Sequence, residues 1–252
     1  MRIVIFALLL CTLVFGEGRS TEIRYEVTFG YVGQVGEAQG TFSVDDQNRY
    51  RIAVSAEATG IAGKLSHGRT ETLESVGTVV DGVFVPETYT NIRYKATKGE
   101  KDIVTFRFDH SAKQVLKEKT RYSMEKTRKY DDRVIPFYAP NDILSLFFNH
   151  LQEIQNAKPG EHFRFRAIGS GHRDGFIDIE FPEGKKLEAL KKTLDAGSEG
   201  VFLIVTIHQE IFTSKSGELY LHLTREGVAT RAVLKDVALF GDFKARLIKI
   251  QR

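Results

Sequence analysis

From Thr21 onward the hydrophobic residues recur at every second position, and this period of two constrains the fold more than any other feature. Ile23, Tyr25, Val27, Phe29 and Tyr31 share one side of a run whose other side carries Glu22, Arg24, Glu26 and Thr28. Alternation of this kind is the mark of a half-buried strand. It returns over Gln34–Val44, Arg49–Thr59, Leu65–Val80, Val83–Ala96, Asp102–Phe108 and Lys113–Tyr122, with polar turns such as Asp45–Asn48 and Asp81–Gly82 between. Short turns join antiparallel neighbours, whereas parallel ones need crossovers of about a dozen residues, so these seven runs predict an antiparallel meander. Further strands are expected over Glu161–Ile168, Gly175–Phe181, Val201–Phe212, Gly217–Arg225, Ala229–Leu239 and Asp242–Ile250.

One segment departs from the pattern. Ile143, Leu144, Phe147, Phe148, Leu151 and Ile154 recur at helical spacing, predicting an amphipathic helix over Asn141–Asn156. Asn141 after Pro140 reads as its N-cap, with Asp142 and Ser145 as structural capping-box residues. Leu187, Leu190 and Leu194 suggest a second, shorter helix over Glu183–Thr193. The expected class is mainly β: a single domain over residues 19–252, built as a curved antiparallel sheet or partly closed barrel with one helix and a shorter second one.

The N-terminus predicts a compartment. Ile3–Phe15 is thirteen residues without a charge behind Arg2, followed by Gly16-Glu17-Gly18. That is short for a bilayer span, which takes about 20 residues, and right for a cleaved signal peptide over residues 1–18, cut near Gly16 or Gly18. The expectation is a periplasmic protein. The chain's single cysteine, Cys11, lies in this segment behind Leu10 rather than a small residue, which disfavours lipidation; the mature chain then has no thiol or disulfide chemistry. A net charge of +3 from 36 basic and 33 acidic residues gives no electrostatic footprint for nucleic acid.

Reactive constellations are sparse. In the hairpin Val201–Arg225 a turn centred on Lys215 places His208 opposite His222, with Glu210 one step along. A metal at this pair lacks the third protein ligand that catalytic zinc requires, so two exposed histidines are the better expectation. His162 and His172 flank a strand and the Gly169-Ser170-Gly171 turn, without HExxH or C-x-x-C spacing. No G-x-S-x-G elbow is present, and no cofactor is expected. Glu71, Glu74 and Asp109 are the carboxylates a glycoside-cleaving site would draw on. Lys113–Arg133 holds eight basic and four acidic residues with Tyr122 and Tyr130 interleaved. It reads as a solvated strand edge guarded by lysines or as a surface for an anionic lipid headgroup or glycan.

A family resemblance adds to this pattern. Tyr25-Glu26-Val27-Thr28-Phe29-Gly30-Tyr31-Val32-Gly33 with Gly36-Glu37-Ala38, Glu74-Ser75-Val76-Gly77, Pro86-Glu87-Thr88-Tyr89, Phe106-Arg107-Phe108-Asp109 and Asp142-Ile143-Leu144-Ser145 resemble the exported bacterial proteins called domain of unknown function 3108. The resemblance implies a periplasmic β-rich protein without an assigned activity. The functional expectation is a non-enzymatic binding or assembly factor of the bacterial cell envelope, its partner a lipid or other hydrophobic ligand or an envelope protein. The alternatives are a hydrolase of envelope polysaccharide or peptidoglycan, and a protein–protein interaction module.

Overall fold

In the computed structural model the described residues are 20–30, 33–123, 127–170, 174–207, 217–237 and 241–252. Residues 1–18, the segment expected to be a signal peptide, lie outside them with Cys11, as do His172 and His208. Fourteen antiparallel strands form one sheet. The first eight are β1 (Ser20–Phe29), β2 (Gly33–Val44), β3 (Arg49–Ala58), β4 (Arg69–Val80), β5 (Val83–Lys95), β6 (Glu100–Asp109), β7 (Gln114–Tyr122) and β8 (Thr127–Val134). The last six are β9 (His162–Arg166), β10 (Phe176–Glu180), β11 (Val201–Ile207), β12 (Glu218–Leu223), β13 (Ala229–Val237) and β14 (Gly241–Gln251).

The spatial order runs β8 through β1, then β14 through β9. Every strand therefore pairs with its chain neighbour except β8 and β9, and β1 pairs with β14, with Tyr25 opposite Leu247. The molecule is a meander ring with one rung left out, a sheet that curves without closing. Across the gap runs an extended strap, residues 135–143. Ile135 N–H donates to the Val115 carbonyl, Ile168 N–H to Asn141, and Ile143 N–H to Ile168 (3.0, 2.9 and 3.0 Å), tying β7 to the chain after β9.

Alternation decides which face is buried. Ile23, Tyr25, Val27 and Phe29 of β1, Tyr50, Ile52 and Val54 of β3, and Leu219, Leu221 and Leu223 of β12 all point inward and are buried. The inner face is filled by the chain itself: Leu146, Phe147 and Ile154 are buried against it, and Phe148 stacks on Phe42 with ring centroids 5.0 Å apart. The outer face of the first strands carries ion pairs, such as the two-pronged contact of Arg49 with Glu87 (2.8 and 3.0 Å) and that of Arg51 with Glu74.

The expected helix over 141–156 is two short ones, α2 (Ser145–Asn149) and α3 (Leu151–Asn156). Residues 141–143 belong instead to the strap, whose bonds to Ile168 hold them extended. The break falls at His150, whose ring packs 4.2 Å from that of Phe165. Helix α4 (Gly184–Leu194) matches the shorter expected helix, and it covers the outer face of β11–β13 through Leu190 and Leu194 against Phe202, Ile204 and Val233. A six-residue helix, α1 (Gly60–Leu65), replaces the expected start of the fourth strand, and a left-handed turn at His67 and Gly68 delays β4 to Arg69. Strand β8 has no counterpart in the hydrophobic pattern, because seven of its eight residues are exposed.

Candidate functional site

Three polar features stand out on this scaffold. The deepest is a buried relay at the strap. Asp142 is fully buried, and its Oδ1 accepts from the Leu144 and Ser145 N–H groups (2.7 and 3.0 Å), while Ser145 Oγ accepts from the Asp142 N–H (3.0 Å). Leu146 N–H reaches the Asp142 carbonyl at 2.9 Å, so the reciprocal Asp142/Ser145 bonds close a turn of capping-box type just ahead of α2, whose N-cap position is Leu144 without a side-chain bond. The N-cap role expected of Asn141 is not observed; its Oδ1 accepts from Asn149 at 2.6 Å instead.

The second oxygen of Asp142 accepts from Ser75 Oγ of β4 at 2.5 Å. With that hydroxyl committed as donor, Tyr50 of β3 donates to Ser75 Oγ at 2.9 Å. Desolvation pushes the Asp142 carboxyl up to about 6, only partly offset by the hydrogen bonds from Ser75, Ser145 and Leu144. Burial, reinforced by the negative charge of Asp142, likewise raises the phenols of Tyr50 and Tyr89. The relay joins strap, helix and sheet, and it opens onto no reactive side chain of another kind. Ser75 and Tyr50 were invisible as partners in the sequence; the available signal was that β4 places Arg69, Glu71 and Ser75 at the inward positions beside Leu73 and Gly77.

The second feature continues that inward row. Glu71 is buried and holds two guanidiniums, Arg69 Nη2 at 3.0 Å and Arg93 Nε at 2.8 Å, with Asn91 Nδ2 at 3.2 Å. Buried Arg69 Nε and Asn91 Oδ1 are left without partners. Pairing across the strands carries the same inward face to Asp102 of β6, Arg121 of β7 and Arg128 of β8, and in the next row to Val104, Lys119 and Asp131. Arg121 grips Asp102 with two hydrogen bonds (2.5 and 2.9 Å), and the Tyr130 ring lies 5.5 Å from that guanidinium and 6.0 Å from Lys119 Nζ. Charge pairing and hydrogen bonding from Arg121 hold the Asp102 carboxyl below its usual range in spite of partial burial. The inner face thus changes from apolar to ionic along β4–β8, and the ionic part is half-exposed.

The third is a cleft of about 430 Å³ at the β2–β3 turn, lined by Ser20, Ser43, Asp45, Asp46, Arg49 and Arg51. Its groups serve the turn itself: Asp45 Oδ1 accepts from the Gln47 and Arg49 N–H groups (2.9 and 2.8 Å).

The remaining expected residues separate. His222 lies opposite Phe202, six residues from the expected position 208, because a long apolar strand can slide by any even number of residues without changing its buried face. It is also buried under the outer layer rather than exposed. Its Nε2–H donates to the Glu199 carbonyl at 2.6 Å, and its Nδ1 accepts from Thr230 Oγ1 at 2.5 Å, which leaves neither nitrogen for a metal. Gly200 permits this bond: at φ +108°, a Cβ there would sit 2.6 Å from His222 Nε2 and 2.3 Å from the Leu223 carbonyl. Gly200→Ala is expected to lower stability by about 2 kcal/mol or more in a urea titration, through backbone strain and the lost histidine bond. His162 is exposed at the start of β9. Glu71 and Glu74 point to opposite faces of β4, and Asp109 accepts from Ser111 Oγ and Ala112 N–H in the turn after β6, so the three carboxylates do not converge. Among the described residues no three histidine, aspartate or glutamate side chains gather as a metal site, and no helix is long and apolar enough to cross a membrane.

A family model described as "Protein of unknown function (DUF3108)" matches residues 24–248. The chain belongs to that family. The match spans both polar features of this DUF3108 chain, the Asp142 relay and the ionic rows. No curated protein matches it. Among solved structures it is similar to a β-barrel-like protein of domain of unknown function DUF1849 from Brucella abortus, at 10% identity and a TM-score of 0.43, over 96% of this chain and 99% of that one.

Proposed function

We propose that this DUF3108 chain is an exported, non-enzymatic binding or assembly factor of the bacterial cell envelope, and that it engages its partner on the ionic inner rows of β5–β8. The observation that carries this reading is the division of the inner face. Its apolar part is filled by α2, α3 and the strap, whereas its ionic part is half-exposed at the open side of the sheet. Packing of Phe42, Phe84 and Phe148 in the apolar part turns the reading away from a hydrophobic ligand held inside and toward a polar surface. The signal-like segment over residues 1–18 supports the compartment.

Cell fractionation tests both halves. The expected result is a species beginning at Glu17 or Arg19 in the periplasmic fraction, and no release of sugar or peptide when the purified protein is incubated with peptidoglycan. A precursor-sized species confined to the cytosol removes the export half. Turnover of the polymer removes the binding half in favour of hydrolysis.

A further inference from the structure

The ionic rows carry more positive charge than the whole chain. On the inner face of β5–β8 stand seven basic residues (Arg93, Lys95, Lys117, Lys119, Arg121, Arg128 and Arg133) against three acidic ones (Glu100, Asp102 and Asp131), a surplus of four. The outer face of the same strands has three basic residues (Lys101, Arg107 and Lys129) against four acidic ones (Glu87, Asp109, Glu118 and Asp132). The entire chain has a formal charge of only +3. The excess is therefore concentrated on one side of four strands.

Most of these cations are spoken for by ion pairs, such as Arg121 with Asp102, Lys95 with Glu100 and Lys117 with Asp131. Among the described residues Lys119 and Arg128 are in no ion pair; Lys119 Nζ lies 6.0 Å from the centre of the Tyr130 ring, which is 51% exposed, and Arg128 stands opposite Arg121 in the adjoining row. We propose that this face binds an anionic polysaccharide lying across β5–β8, with Lys119 and Arg128 taking its acidic groups and Tyr130 stacking on a sugar ring. The proposal rests on the binding-factor reading above and gives its partner a chemistry.

Three observations favour a sugar polymer over a lipid or a peptide strand. Of the exposed large hydrophobic side chains described in this region, Tyr94, Tyr122 and Val134 fall on the outer face and Tyr130 on the inner one, so an occupant of the inner face meets a single exposed aromatic ring rather than an apolar surface for acyl chains. Asp102 and Asp131 stand between the cations as acceptors, which suits hydroxyl groups interspersed with acids. The free edge of β8 is interrupted by a bulge opposite Lys119/Thr120 and carries charge of both signs, devices that discourage a strand from adding there. Neighbouring strands lie about 4.8 Å apart, so a polymer crossing them passes a cation on nearly every strand.

The test is a binding titration of the purified mature chain against polygalacturonate, with neutral dextran and polyglutamate of matched length, at low and moderate salt. The expected result is binding to polygalacturonate that weakens with salt, and no binding to dextran. Lys119→Glu with Arg128→Glu is expected to weaken it about tenfold or more, whereas Lys101→Glu with Lys129→Glu, the same charge change on the outer face, alters it less than about twofold. Tyr130→Ala weakens it about threefold to tenfold by removing the stacking surface. All substituted positions are exposed or half-exposed, and unchanged thermal unfolding confirms the fold. Equal losses from the two charge-reversal pairs, or no polyanion binding, overturn the proposal. Polyglutamate binding as tight as polygalacturonate, unmoved by Tyr130→Ala, assigns the face to an acidic peptide and overturns the sugar. Each of these results is independent of where the chain resides and of any turnover, so a failure here is distinct from failure of the export or binding-factor reading.

Discussion

Raising the pH from 4 to 7 is expected to cost the protein about 2–3 kcal/mol of stability through Asp142 alone, the reverse of the usual behaviour of a carboxylate. Its folded-state value is about 6 against an ordinary 3.8, so the native state holds this proton more tightly than the unfolded chain does. The stabilising contribution is fully present below the unfolded value and is lost as pH rises through the folded one. Two units at about 1.4 kcal/mol each give the magnitude. Asp142→Asn removes the charge but keeps an oxygen for the Leu144 and Ser145 N–H groups, and its amide can donate to Ser75. Urea titrations of the two proteins at pH 4 and pH 7 read the difference directly. The Asn variant should lack this loss; a loss as steep as that of the parent protein would assign the effect to another group. Asp142→Ala, which strands two backbone N–H groups and the Ser75 hydroxyl, should lose about 2–4 kcal/mol at pH 4.

Glu71→Gln is the second large effect, with an expected loss of about 3–5 kcal/mol at neutral pH. Glu71 is the common anion of Arg69 and Arg93, and its side chain and that of Arg69 are 5% and 9% exposed. Removing one charge of a buried pair leaves the other desolvated and unpaired, which costs far more than the pair itself contributes. A double variant with Arg69→Met and Glu71→Leu should recover much of the loss, because two well-packed apolar side chains need no counter-charge. If the single and double variants are equally unstable, packing rather than charge is what Glu71 supplies. In the polysaccharide titration the single variant should bind no weaker than the parent, since it frees Arg93.

These two sites mark where sequence reasoning stops. Alternation at Ile23, Tyr25 and Val27 announces a strand because the buried positions are apolar, and nearly every strand is legible on that ground. In β4 the inward positions include Arg69, Glu71 and Ser75, so neither face looks buried until the strap brings Asp142 to Ser75. Strand β8 escapes notice for the opposite reason, since it buries almost nothing. The stripe over residues 143–154 correctly names the side chains that fill the sheet, but not the late start, which bonds to Ile168 decide, nor the break at His150, whose ring packs on Phe165. Parity in the hairpin after Val201 correctly selects the buried face, while the offset that separates His222 from His208 depends on a turn that parity cannot locate.

The missing rung between β8 and β9 has a mechanical consequence. The ring is joined between β1 and β14, whose outer residues Glu22 and Gln251 sit opposite each other, so both ends of the chain leave from the same side of one antiparallel pair. A force applied to those ends loads the β1–β14 hydrogen bonds one after another, as in opening a zip, rather than all together in shear. The ring therefore yields at low force when pulled by its termini. The gap at β8 and β9, by contrast, is spanned by continuous covalent chain through the strap and bears load there without breaking a rung.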